Sequence, residues 1–522
     1  MISSQNELLG PHLHPRVFWW IFGITCALKA TLAATVPITG DEAYFALWGM
    51  YPDIGYYDHP PMVGWWLWCM LLGGNSTFLV RLPAMLVPLA AALLVRGVLR
   101  RIDAGKADLV ATIFLLTPFN ALGVITTTDT PLVFFSALSA VFAYQAYLRG
   151  RWWCALLAGL FLGCAFLSKY FAVLLGIGYA VLFLGTGGIR RGSGTVLLIL
   201  LGALPAIAVN IVWNYQQGWT NIMFNVFNRH GGAGFSLVNP LTFLLMTAFW
   251  LGPGILFGLF KARTSLRHGY AARLQAATAD GTIVFFAAAL VPAAIFFLLS
   301  WVKSVGFHWL MSYFPLFLPV LFALLDVPQL RRMLKPTAWF SGVLGAVTLV
   351  TVQLPLEWFR SVNSYESVVL AAKPEVVLES LRPWLGDHVL ATTSYAKSSV
   401  LEFMTGGRVP VLGRGSFNGR HDDVLTDFRE LDGRDILLLD TRERRVAVGA
   451  AWFADSELRT IEAGGGRFVV LIGRGFRYDA YRRDVLQRIA DDFYQIPPFL
   501  AGMMRSSFFL ERYDITPRER DQ

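Results

Sequence analysis

The sequence predicts a polytopic α-helical membrane protein of about eleven transmembrane helices and one interfacial helix, followed by a C-terminal soluble α/β domain. Three observations predict it. Of the 522 residues, 55% are hydrophobic and only 15% charged, with a mean hydropathy of +0.52, whereas a soluble domain carries about 25% charged residues. Apolar runs of ~17–22 residues, the length that crosses a bilayer, recur up to residue 356. From Glu357 onward the charge density rises and the apolar runs shorten to strand length. This balance excludes a cytosolic enzyme, a disordered scaffold and an ordinary nucleic-acid-binding protein.

The expected spans lie near 17–37, 79–99, 108–125, 131–148, 152–168, 171–187, 195–213, 240–260, 282–300, 307–325 and 338–355. The first is expected to be a retained helix and not a cleaved signal peptide, because no convincing A-x-A exit follows it. Met62 to Gly73 is too short to cross and follows Pro60-Pro61, so an interfacial helix is expected there. Cys26, Cys69, Cys154 and Cys164 all sit in apolar stretches without metal-like spacing, as buried small hydrophobes.

Charge alternation sets the orientation. The formal net charge is +9, and most basic residues fall in every second loop: Arg96, Arg100, Arg101 and Lys106; Arg149 and Arg151; Arg190 and Arg191. The same alternation continues with Lys261, Arg263, Arg267 and Arg273, then Arg331, Arg332 and Lys335. The intervening loops hold few. Basic loops stay cytoplasmic, so a cytoplasmic N-terminus and an external tail are expected, in the inner membrane. The expected domains are therefore a transmembrane domain, 1–356, and a periplasmic α/β domain, 357–522. In the tail, His388–Thr393, Arg434–Asp440 and Arg467–Gly473 read as buried strands, and 374–385, 394–405 and 480–494 as helices.

Every unusual polar cluster falls in an outward loop. The first loop carries Gly40-Asp41-Glu42-Ala43-Tyr44 and Gly55-Tyr56-Tyr57-Asp58-His59-Pro60-Pro61; the second, Thr126-Thr127-Thr128-Asp129-Thr130-Pro131; the third, Ser168-Lys169-Tyr170. The fourth runs from Trp213-Asn214 through Gly218-Trp219 to Asn228-Arg229-His230, and the fifth is Lys303-Ser304-Val305-Gly306-Phe307-His308-Trp309. Each has a plainer role on its own: Asp-Glu as a helix cap, Trp65, Trp66 and Trp68 as an interface belt, Lys169 or Lys303 as a snorkelling side chain, His59 or His308 as a structural hydrogen-bonder. Their coincidence on one face points to an active site, since ionisable groups at membrane depth pair or serve a function. Carboxylates suit proton abstraction; lysine, arginine and histidine suit a departing phosphate.

These strings, with Leu167-Ser168-Lys169-Tyr170 and Ser394-Tyr395-Ala396, resemble the GT-C glycosyltransferases that use polyprenyl-phosphate sugars. The likeness is to the bacterial branch related to protein O-mannosyltransferases and the lipid A aminoarabinose transferase. The resemblance implies a GT-C-like fold, with Asp41 as the catalytic carboxylate and Asp129 and Asp58 completing the acidic site; Glu42 is a further catalytic candidate. Where the aminoarabinose transferases carry Glu-Lys before the prolines, this chain carries Asp58-His59. Tyr57, Asp58, His59, Lys169, Arg229, Lys303 and His308 are the substrate-binding candidates, with Lys303 and Arg229 leading for the donor phosphate because they stay charged at neutral pH. A divalent metal ion is a candidate cofactor, with Asp58, His59, His230 and His308 as its candidate ligands. Arg414 and Arg420, near glycine-rich turns of the tail, are candidate acceptor contacts, and solubilising loop arginines on the plainer reading.

The implied activity is inverting transfer of a sugar from an undecaprenyl-phosphate carrier to an envelope acceptor: lipid A, lipopolysaccharide, another glycan or a protein. Membrane lipids are the other expected partner, and nucleic acid is not. The rival is a lipid-glycan transporter or flippase, which would show repeats and charges at mid-depth; here the charges gather at one surface. A sensor would fit the tail but not the acidic loops.

Overall fold

The computed structural model describes residues 15–227, 234–306, 308–496 and 506–518. The chain folds into two compact units. The first comprises residues up to Val36, Thr77–Val209 and Gly232–Val352; the second comprises Pro37–Ser76, Asn210–Gly231 and Gln353–Gln522. The segment Pro37–Ser76 thus belongs to the same unit as the tail.

The first unit is helical. Among the described residues, seven helices are long and apolar enough to cross a membrane: Pro15–Thr35, Thr77–Leu99, Asp129–Arg149, Arg190–Gln216, Val238–Asp280, Ile283–Ser300 and Val327–Thr351. They coincide with seven of the expected spans. The spans expected at 152–168, 171–187 and 307–325 fall on the shorter apolar helices Trp152–Ser168, Ala172–Gly188 and Trp309–Leu324. The protein is a multi-pass membrane protein.

The span expected at 108–125 is interrupted. Ala104–Leu115 ends, Thr117 is extended at ψ 149°, and Pro118–Leu122 forms a separate turn of helix. A residue before proline is pushed out of the α region, and Pro118 then suits a helix start. Val238–Asp280 is bent at Gly252, whose φ of 80° precedes Pro253. Beyond the bend, Lys261, Arg263, Arg267 and Arg273 sit on the helix and not in a loop. Charges buried in this unit are matched. Lys29 Nζ donates to the Asn120 and Gly123 carbonyls at 2.8 and 2.6 Å, and Arg96 and Arg100 both reach Asp108, at 2.8 and 2.6 Å.

In the second unit a four-stranded sheet has the order β1-β2-β4-β3, with β1 Val389–Thr392, β2 Ile436–Asp440, β3 Phe453–Ala463 and β4 Gly466–Phe476. β1 runs parallel to β2, and β4 is antiparallel to β2 and β3. β2 is buried along its whole length, as its Ile-Leu-Leu-Leu run requires. The unexpected strand is β3, an edge strand whose outward face is polar. Gly464 and Gly465, at φ 57° and 77°, join it to β4; a two-residue hairpin turn of type I′ needs positive φ at both positions. The helices Pro374–Leu385 and Tyr395–Thr405 stand where the pattern puts them, and the third, Tyr478–Phe493, contains a π segment, Arg482–Leu486.

Candidate active site

Polar groups that the sequence singles out come together within each unit. In the first unit Asp129 opens the helix Asp129–Arg149. The loop before it fixes its place: Thr126 Oγ1 donates to the Val80 carbonyl at 2.6 Å, and Asp129 N–H donates to Thr127 Oγ1 at 3.2 Å. Lys169 Nζ donates to both carboxylate oxygens, at 2.9 and 2.8 Å, and Ser312 Oγ donates to Oδ1 at 2.8 Å. His308 Nε2 stands 3.7 Å from Oδ2. Asp129 and Lys169 are 7% and 4% exposed, so the charges compensate each other away from bulk water. The structure thus makes Lys169 the counter-ion of Asp129, and His308 its neighbour. Lys303 is half-buried in the same unit.

In the second unit Asp41 and Glu42 occupy the first turn of the helix Gly40–Met50. Their roles separate. Glu42 is fully buried and closes a capping box: Thr39 Oγ1 accepts from Glu42 N–H at 3.2 Å, and Thr39 N–H donates back to Glu42 Oε2. Asp41 is exposed, and its Oδ1 accepts a 2.7 Å hydrogen bond from the Tyr395 hydroxyl. Burial, followed by the Asp41 charge, pushes the Tyr395 phenol well above its usual value, so it stays a donor.

Asp58 is buried close to Tyr44. Its Oδ2 accepts from Gly419 N–H at 2.9 Å, and its own carbonyl accepts from Asn225 at 3.0 Å. Burial lifts its carboxyl to about 7, against the pull of the Gly419 N–H and the Tyr44 hydroxyl. Gly419 has φ 68°, and a Cβ there would fall 2.2 Å from the Tyr395 ring, so no other residue fits this donor position. His421 completes the group. Its backbone N–H donates to Tyr44 Oη at 3.0 Å and its Nδ1 accepts from Tyr57 N–H at 3.4 Å; burial, then Arg408, holds its imidazole down at about 3.

The other sequence candidates are placed as follows. Tyr57 is fully buried in the core of the second unit, its ring 5.5 Å from Phe224 and 5.9 Å from Tyr494; that is a packing position. His59 is half-buried beside Trp48, 6.1 Å between ring centroids. Arg420 is 5% exposed, ion-paired with Asp423 at 2.7 Å and stacked over Phe493, which makes it a structural residue. Arg229 and His230 lie outside the described residues. Among the described residues no group of three or more His, Cys, Asp or Glu side chains is placed to hold a metal ion. Sequence reasoning gives no role to Ser312, Tyr395 or His421. Ser312 is a lone serine in an apolar run and carries no signal, whereas Gly419-Arg420-His421-Asp422-Asp423 is a dense polar string of the kind that marks a site.

Residues 58–213 match the family model described as dolichyl-phosphate-mannose-protein mannosyltransferase. The chain is 29% identical over 227 residues to the lipid A galacturonosyltransferase RgtD of Rhizobium johnstonii, a match covering 42% of this chain and 48% of that protein. The chain thus spans about half the length of this curated relative. Two crystal structures of ArnT from Cupriavidus metallidurans, one apo and one bound to undecaprenyl phosphate, match with TM-scores of 0.61 and 0.60 at 14% identity, covering 87% of this chain and 97% of theirs. The resemblance carried by the sequence strings is therefore upheld: the chain has the GT-C fold, and its sequence likeness is to GT-C glycosyltransferases.

Proposed function

We propose that the protein is an inverting membrane glycosyltransferase that moves one sugar from an undecaprenyl-phosphate carrier to an envelope acceptor such as lipid A. The observation that carries this reading is Asp41: an exposed carboxylate at a helix start, with one oxygen fixed by a phenol that stays protonated. In the proposed step Asp41 accepts the proton of the acceptor hydroxyl as its oxygen bonds to the anomeric carbon. The bond from that carbon to the phosphate oxygen breaks, and the polyprenyl phosphate leaves. Tyr395 positions the carboxylate; Glu42 holds the helix start that carries it.

Asp129 acts on this reading as a positioning residue, holding Lys169 and standing beside His308, while Lys303 remains the cation proposed for the leaving phosphate. The match to a lipid A galacturonosyltransferase supports an envelope glycolipid acceptor, and the undecaprenyl phosphate bound to ArnT supports a polyprenyl-phosphate donor. The alternation of basic residues supports a cytoplasmic N-terminus and a periplasmic domain from residue 357, and an inner-membrane location is part of the same reading. Mass spectrometry of lipid A and envelope glycans from deletion and wild-type strains tests the reading. A sugar missing only in the deletion, and restored by the purified protein with a polyprenyl-phosphate donor, supports it; unchanged glycans in both contradict it.

A further inference from the structure

The second unit contains a cleft of about 1170 Å³, most of whose lining has no role in the proposed chemistry. Its lining is strongly biased: Arg414, Arg444, Arg445, Arg483, Arg488 and Arg518 against one carboxylate, Asp484. Arg414 is ion-paired with Asp492. Arg444, Arg445, Arg483 and Arg488 are exposed and form no ion pair among the described residues. Guanidinium groups stay charged at any accessible pH and bind phosphate or carboxylate through two parallel N–H donors. So many like charges around one concavity cost self-repulsion, which an anionic occupant relieves.

Two further features narrow the occupant. The volume exceeds the roughly 300–1,000 Å³ of ordinary small-molecule sites, which suits an oligosaccharide better than a single sugar. Ser394 and Tyr395 also line the cleft, and it is the Tyr395 hydroxyl that holds Asp41.

We infer that this arginine-lined cleft binds the acceptor, and that the acceptor is an anionic saccharide bearing at least two phosphate or carboxylate groups. The inference rests on the transferase reading for the word acceptor, but the binding itself is measurable without turnover. The arginines come from four separate segments, around 414, 444–445, 483–488 and 518, so recognition is spread across the cleft and not confined to one loop.

The test is calorimetric titration of the full-length protein in detergent with a disaccharide bisphosphate, its unphosphorylated parent, and phosphatidylglycerol vesicles as competitor. The bisphosphate is expected to bind, and the parent to bind at least about tenfold more weakly, as loss of charge-assisted contacts requires. The double variants Arg444→Ala/Arg445→Ala and Arg483→Ala/Arg488→Ala should each weaken the bisphosphate by about tenfold or more, with an unchanged gel-filtration profile and a shallower salt dependence. If the wild-type protein binds the bisphosphate but transfers no sugar from a polyprenyl-phosphate donor, the transferase reading fails and the cleft assignment stands. Equal binding of phosphorylated and unphosphorylated sugars overturns the inference. So does normal binding by both double variants, or equal displacement by phosphatidylglycerol, which would mark a general anionic-lipid surface.

Discussion

The Tyr395 hydroxyl donates a 2.7 Å hydrogen bond to Asp41 Oδ1 across 354 positions of sequence. A hydrogen bond to a charged acceptor is worth about 1.5–3 kcal/mol. Tyr395→Phe should therefore lower kcat by about 10–100-fold while leaving KM for the lipid donor nearly unchanged. Steady-state kinetics with the purified variant check this; a fall confined to KM would show that Tyr395 binds substrate instead of orienting the carboxylate.

Lys169 and Asp129 are a mutually compensating buried pair. Removing one partner leaves an uncompensated charge, at a cost of roughly 3–5 kcal/mol. Lys169→Met and Asp129→Asn should each lower the unfolding temperature in detergent, and the double variant should recover most of the loss. If Lys169→Met is as stable as wild type, the pair is not structural and Lys169 returns as a phosphate ligand.

Lys303 is expected to act on the leaving phosphate. Lys303→Ala should raise the transfer barrier by about 2–4 kcal/mol, the usual effect of losing a charge-stabilising donor, with unfolding unchanged. A rate equal to wild type would make it a snorkelling anchor.

Asp58 and His421 give opposite pH dependences within one cluster. The Asp58 carboxyl ordinarily titrates at 3.8 but is lifted to about 7 in the fold. Its contribution to stability is thus complete below 3.8 and is lost as pH rises through about 7. His421 is depressed from 6.5 to about 3, so its contribution is complete above 6.5 and is lost as pH falls toward 3. Thermal unfolding from pH 4 to 8 should show Asp58→Asn gaining on wild type as pH rises; His421→Asn should gain as pH falls. Parallel curves for either variant would remove that group from the titration.

Much of the helical part is legible in the sequence because bilayer length and basic-loop alternation are strong, local signals. The break at Thr117-Pro118 escapes notice because the apolar run continues through it, although the proline is visible. β3 is hidden because Phe453–Ala463 is a polar edge strand, lacking the apolar run that reveals β2. At the site, Asp41 and Asp129 stand out as charges at apolar boundaries. Their partners do not: Ser312 and Tyr395 are common residue types whose contacts depend on segments 183 and 354 positions away. Tyr57 looks functional in its string, yet its ring serves the core.

If Asp41 takes the acceptor's proton, single-turnover transfer by purified Asp41→Asn exposes it without interference from product release. The variant is assayed with a polyprenyl-phosphate sugar and the wild-type acceptor, beside an unfolding curve. Normal unfolding is expected together with a rate lower by about 10²–10⁴, the range for loss of a general base; a folded Asp41→Asn protein that transfers sugar at the wild-type rate would contradict the assignment.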